Sequence, residues 1–170
     1  VATLRAARVA PADALVIWPE TATPTLLMYD RTYLEQVQNL VVNIDRPLLT
    51  GFPDRNEYRG GPLEYFNAAG LFAPGRGMVQ EYRKVRLVPF AEYMPVPGLN
   101  KVNFGQGNFT PGDTLKVFDQ AGPPFGVLIC IEACFPDLSR AFVRRGARFL
   151  VNVTNDQWFG PSAAPWQHLT

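Results

Sequence analysis

Glu20, Lys84 and Cys130 are the three residues of this 170-residue chain whose types could together run acyl transfer. A free thiol titrates near pH ~8.5, so only a few per cent is thiolate at neutral pH, and a nucleophilic cysteine needs a neighbouring base or cation. A carboxylate can take the thiol proton and later return it to a leaving group. A lysine can help ionise the thiol and hold the oxyanion of a tetrahedral intermediate, beside the backbone N–H that follows the nucleophile, here that of Ile131. Such a set needs no histidine, which suits a chain whose one histidine, His168, reads as a structural or surface residue. Taken singly, each residue has a blander explanation. Cys130 could be packed core, Glu20 a loop or capping carboxylate, and Lys84 one more cation on an exposed strand beside Arg83 and Arg86.

The elements that must carry these residues favour the set. Pro124–Ile129 is an apolar run bounded by Pro and Gly, a buried strand that ends at Cys130 with a sharp change of direction after it. Glu20 follows the short apolar strand 14–18 and Pro19 in the same way. Residues 29–42 carry apolar side chains at a helical period, and 47–52 reads as the next strand. Residues 63–72 and 78–82 are expected to pair through the Pro74–Gly77 turn, leading to Lys84. Residues 85–112 are rich in loop formers. A second hairpin is expected between 115–118 and 125–129, then a helix over 136–146 and a last strand over 149–153. Strands alternating with helices and hairpins give an α/β protein with mixed sheets.

Composition narrows the function classes. A chain of this size buries roughly 70% of its unfolded surface as one domain. With 47% hydrophobic and 18% charged residues it is globular rather than disordered. A net charge of +1 argues against a nucleic-acid partner. No apolar stretch approaches the ~18 residues of a membrane span. Cys130 and Cys134 are not expected to pair, and one histidine without Cys-x-x-Cys spacing gives poor support for a metal site.

Three segments carry a resemblance. Ile17-Trp18-Pro19-Glu20, Tyr82-Arg83-Lys84 with Leu87-Val88-Pro89-Phe90-Ala91-Glu92-Tyr93, and Leu128-Ile129-Cys130-Ile131-Glu132 resemble, in this order, the catalytic segments of the nitrilase (carbon–nitrogen hydrolase) superfamily. Within it, the chain is similar to the catalytic domain of the apolipoprotein N-acyltransferase family. Leu87 to Pro95, and Asn152 to Gly160 followed by Pro165-Trp166-Gln167-His168, carry that narrower likeness.

The resemblance implies a four-layer α-β-β-α sandwich, with Glu20 as general base, Lys84 as oxyanion stabiliser and Cys130 as nucleophile. It implies Glu92 as support for Lys84 and Glu20, Glu132 as a further active-site residue, and no cofactor. A phospholipid acyl chain, as from phosphatidylethanolamine, would pass to Cys130 as a thioester and then to the α-amine of a diacylated lipoprotein. The setting implied is the periplasmic side of the bacterial inner membrane, with the membrane domain, the first strand of the fold and its C-terminal portion outside this chain. Ile131 departs from the tyrosine common in the family; the phenol is lost and the backbone N–H kept. Phe90, Tyr93, Met94 and Phe104 are expected in an apolar lid, and Trp158 and Trp166 along a lipid path or in the core. Asn155 and Asp156 are expected to shape a turn, with pocket contact as a second possibility. Two other functions remain open: a soluble amidase that resolves the same thioester with water, and a silent binding domain.

Overall fold

The computed structural model describes residues 2–56, 62–95 and 108–155. Helix α1 (Ala2–Val9) precedes strand β1 (Val16–Ile17), helix α2 (Arg31–Ile44), and strands β2 (Leu48–Asn56), β3 (Glu64–Ala73) and β4 (Gly77–Arg83). Strands β5 (Val117–Phe118) and β6 (Phe125–Ile129) lead into a 3-10 turn at Cys130–Cys134, helix α3 (Pro136–Arg144) and strand β7 (Phe149–Val153).

These form two mixed sheets, ordered β1-β2-β3-β4 and β5-β6-β7. Within them β1 runs parallel to β2 and β6 parallel to β7, while the other neighbours are antiparallel. The side-chain alternation of the first sheet sorts its residues into two cores. Leu48, Phe52, Ala68 and Phe72 face α2, which contributes Val37 and Val41. Leu49, Ala69, Leu71 and Tyr82 face the other way, into a core shared with Phe125, Val127 and Ile129 of β6 and Leu138 and Phe142 of α3. The expected order of helix, sheet, sheet and helix is therefore present, with α2 and α3 as its helices.

Local chemistry explains most boundaries. Asp30 caps α2 by accepting from the Tyr33 N–H at 3.0 Å, which starts the helix two residues later than its apolar period does. Gly75 and Gly77, both at positive φ, turn β3 into β4. Strand β2 runs past the expected end at Phe52, through Pro53 to Asn56. Its partner β1 pairs only with Leu48 and Leu49, so the rest of β2 is an edge on that side, where proline is tolerated. The unexpected helix α1 is tied down by the Trp18 indole N–H, which donates to the Thr3 hydroxyl at 3.1 Å.

Candidate active site

In open α/β sheets, ligands gather where strands end in their C-terminal direction. Here β1, β4, β6 and β7 deliver Glu20, Lys84, Cys130 and the pair Thr154 and Asn155 just past such ends. Asn67, near the start of the antiparallel strand β3, reaches the same edge.

Glu20 sits on a turn that leans on β2. A Cβ on Gly51 would lie 2.7 Å from the Glu20 Cα, so only glycine lets the turn approach this closely. The turn is held by Gly51 N–H donating to the Pro19 carbonyl at 3.2 Å, and Thr21 takes a left-handed φ of 51° to complete it. Only 5% of Glu20 is exposed.

Lys84 is 1% exposed, so the bland expectation of a cation on an exposed strand is wrong. An ammonium this far from water needs paired charge. It lies 2.9 Å from the Glu92 carboxylate and 3.7 Å from Glu20 Oε1. Glu92 is itself fixed by the Val88 N–H, which donates to its Oε2 at 2.8 Å. The Asn67 amide nitrogen lies 2.8 Å from an oxygen of each carboxylate. Gly112 N–H donates to the Lys84 carbonyl at 2.7 Å, drawing the chain from 108 onwards across the end of β4.

Cys130 adopts φ 56°, a left-handed conformation that costs a non-glycine residue about 1–2 kcal/mol. The strain marks the sharp passage from β6 into the 3-10 turn. Burial pushes its thiol above the ordinary thiol range, and the negative charge of Glu20 adds to this. Lys84, the Thr154 hydroxyl and the Ile131 N–H pull the other way. The three residues singled out in the sequence therefore share one electrostatic site. Because Glu20 opposes ionisation of the thiol, Glu20→Gln should let iodoacetamide alkylate Cys130 several-fold faster near pH 8. Peptide-resolved mass spectrometry, which separates the exposed Cys134, reads this; an unchanged or slower rate contradicts the arrangement.

Glu132 is fully buried and ties the two sheets together beneath the site. Its Oε1 accepts from the N–H groups of Val85 (2.8 Å) and Arg86 (3.0 Å), and its Oε2 from that of Ile129 (2.9 Å). The Tyr82 hydroxyl donates to the same carboxylate at 2.9 Å. Burial, then the charge of Glu132, holds the Tyr82 phenol far above the usual tyrosine range, so it remains a donor.

Phe90 and Tyr93 lie on the loop that carries Glu92, 61% and 37% exposed, with Phe90 N–H donating to the Tyr93 carbonyl at 2.8 Å. Met94 beside them is half-buried. Phe104, Asp156, Trp158, Trp166 and His168 lie outside the described residues. Asn155 donates its backbone N–H to Glu20 Oε2 at 3.2 Å, the site contact expected as the second possibility beside a turn. Asn67, Tyr82 and Thr154 were not legible as site residues; two stand within strands and the third directly after one, and only pairing register or loop geometry turns them towards Glu20, Glu132 and Cys130.

Among the described residues, no helix is long and apolar enough to cross a membrane. The chain is 39% identical to the apolipoprotein N-acyltransferase of Geobacter metallireducens, over 98% of its own length and 32% of that protein. It is 41% identical to that of Chlorobaculum tepidum, over 91% of its length and 34% of that protein. It thus spans about a third of the curated relatives it matches. Among solved structures, it superposes on an amidase from Nesterenkonia sp. with TM-score 0.63 at 20% identity, covering 99% of this chain and 60% of that one. It superposes on a carbon–nitrogen hydrolase from Helicobacter pylori with TM-score 0.66 at 20% identity, covering 90% and 52%. These likenesses bear out the nitrilase-type sandwich. The sequence profile of carbon–nitrogen hydrolases matches residues 2–170, and with two sheets that converge on Glu20, Lys84 and Cys130 the chain belongs to the carbon–nitrogen hydrolase family.

Proposed function

We propose that this chain is catalytic sequence of an apolipoprotein N-acyltransferase, with Cys130 as acyl carrier, Glu20 as proton shuttle and Lys84 as oxyanion stabiliser. The observation that carries the reading is the buried Lys84 ammonium, bracketed by Glu20 and Glu92 and acting electrostatically on Cys130. The identity to two proteins of that name supports lipid acyl transfer among the reactions such a set can run.

In the first half-reaction, Glu20 takes the Cys130 proton as Sγ attacks the ester carbonyl of a phospholipid such as phosphatidylethanolamine. The carbonyl oxygen becomes an oxyanion held by Lys84 Nζ and the Ile131 N–H, the latter unaffected by the isoleucine side chain. Collapse breaks the ester C–O bond, and the departing lysophospholipid oxygen takes the proton from Glu20. In the second half, the α-amine of a diacylglyceryl-cysteine attacks the thioester, Glu20 receives an amine proton, and collapse returns the thiolate, which is reprotonated. Glu92 and Glu132 hold Lys84 and the Cys130 turn in place. Phe90 and Tyr93, exposed on the loop that carries Glu92, line the acyl path. The donor and acceptor place the reaction at the periplasmic face of the bacterial inner membrane, through parts of the protein outside this chain.

Intact-mass analysis tests this in the protein that carries this chain, incubated with phosphatidylethanolamine vesicles. A fatty-acyl adduct is expected, absent in Cys130→Ser and cleared by a diacylglyceryl-cysteine peptide. No adduct overturns the reading. An adduct that water clears as fast without an amine assigns the site to hydrolysis instead.

A further inference from the structure

Lys84 brings one positive charge to two carboxylates, so the buried cluster is one charge short of balance when both are ionised. Two like charges this close repel unless something bridges them. Asn67 stands between them. It is 6% exposed, and its Nδ2 lies 2.8 Å from Glu20 Oε1 and 2.8 Å from Glu92 Oε1. Nδ2 carries two hydrogens, one for each oxygen, whereas an amide oxygen in that place would face two acceptors; the orientation follows from the chemistry. The backbone joins in, since Lys84 N–H donates to the Asn67 carbonyl at 2.8 Å.

We propose that Asn67 is a positioning residue for the reaction, a two-hydrogen bridge that keeps Glu20 and Glu92 together around Lys84 and fixes which oxygen of Glu20 is tied up. Resting on the functional reading above, this adds to it the device that lets the base stay close to a second carboxylate. With Oε1 held by Asn67, Glu20 keeps Oε2, steadied by the Asn155 N–H, as the oxygen left for proton transfer.

The test compares Asn67→Ala and Asn67→Asp in the protein that carries this chain, reading the rate of acyl-adduct formation at Cys130 on phosphatidylethanolamine vesicles. Hydrogen bonds to charged groups are individually strong, so Asn67→Ala should slow the reaction at least about tenfold at pH 7. Asn67→Asp preserves shape but sets an acceptor against two carboxylates, and should be slower still. A role in filling space predicts the reverse order. Glu20, Glu92 and Lys84 surround the position, with Arg83 and Asp54 paired to each other at 2.7 Å on flanking strand positions. Against those carboxylates the introduced carboxyl holds its proton to higher pH than usual and, protonated, donates one hydrogen bond. The rate of Asn67→Asp relative to wild type should therefore rise as pH falls towards about 5, while that of Asn67→Ala stays level.

Wild-type speed in Asn67→Ala overturns the inference alone, as does Asn67→Asp outperforming Asn67→Ala at pH 7 or a pH-independent deficit in Asn67→Asp. Should Asn67→Asp fail to fold, the tenfold loss in Asn67→Ala decides. If wild type itself forms no adduct, the functional reading falls first and the inference with it.

Discussion

Lys84→Met should cut formation of the Cys130 acyl adduct by about 10²–10³-fold, the range lost when one oxyanion donor is removed. The same substitution should destabilise the domain by about 3–5 kcal/mol, because it removes one partner of a buried ion pair. Both effects follow from the 1% exposure of Lys84 and its 2.9 Å contact with Glu92. With methionine in place the side-chain volume is kept. Among the described residues, the two carboxylates then have Asn67, Val88 N–H and Asn155 N–H to face. The thiol also suffers, since the ammonium is the largest influence opposing the burial and Glu20 that push Cys130 up. Alkylation of Cys130 should slow as acyl transfer does, the opposite of Glu20→Gln. Lys84→Arg should not rescue the rate, because a planar guanidinium cannot place one compact charge between Glu92 and Glu20. Urea unfolding and the intact-mass assay read the two effects. A Lys84→Met protein with more than a tenth of wild-type rate would refute the oxyanion role.

What the sequence revealed of this site depended on where each residue sits along its element. Glu20 and Cys130 come directly after apolar strand runs, and such positions are visible because composition changes there. Lys84 follows a less apolar strand flanked by arginines, and only the three together made it conspicuous. Its burial was hidden, since a lysine in Arg83-Lys84-Val85-Arg86 looks solvated until strand register turns Arg83 and Lys84 to opposite faces. Asn67 and Tyr82 were invisible for the same reason: a polar residue inside a strand gives no sign of what it will meet. Register pairs Tyr82 with Ala69, on the face of the second sheet, and this alone brings the phenol to Glu132. Strand and helix identities were legible from period, whereas α1 was not. Eight residues form no stable helix alone, and this one depends on contacts with Trp18 and the Arg46 side chain, which donates to the Pro11 carbonyl just beyond it.

Glu132→Ala should be as damaging to the fold as any single change at the site, although Glu132 need touch no substrate. Four donors converge on its carboxylate from both sheets: Val85 and Arg86 N–H and the Tyr82 hydroxyl on one side, Ile129 N–H on the other. Alanine removes the acceptor that Tyr82 and Ile129 use in a buried place and Val85 and Arg86 in a part-buried one, at about 1–3 kcal/mol for each donor that finds no other, so a loss of at least about 3 kcal/mol is expected. The rate should fall as well, by at least about tenfold, because the carboxylate links the segment following Lys84 to the residue preceding Cys130. Glu132→Gln keeps one acceptor oxygen and should be milder in both respects. The pH dependence gives a sharper check. Burial outweighs the four hydrogen bonds and holds the Glu132 carboxyl above its ordinary 4.5. The folded protein therefore binds this proton more tightly than the unfolded chain does. Its contribution to stability is full below pH 4.5 and is lost as pH rises through the raised folded value. The stability gap between wild type and Glu132→Ala should narrow as pH climbs from 4.5 towards neutrality, the other carboxylates being common to both. Unfolding free energies measured across that range decide the matter: a gap that widens with pH would mean that the hydrogen bonds, not burial, set the charge state of Glu132.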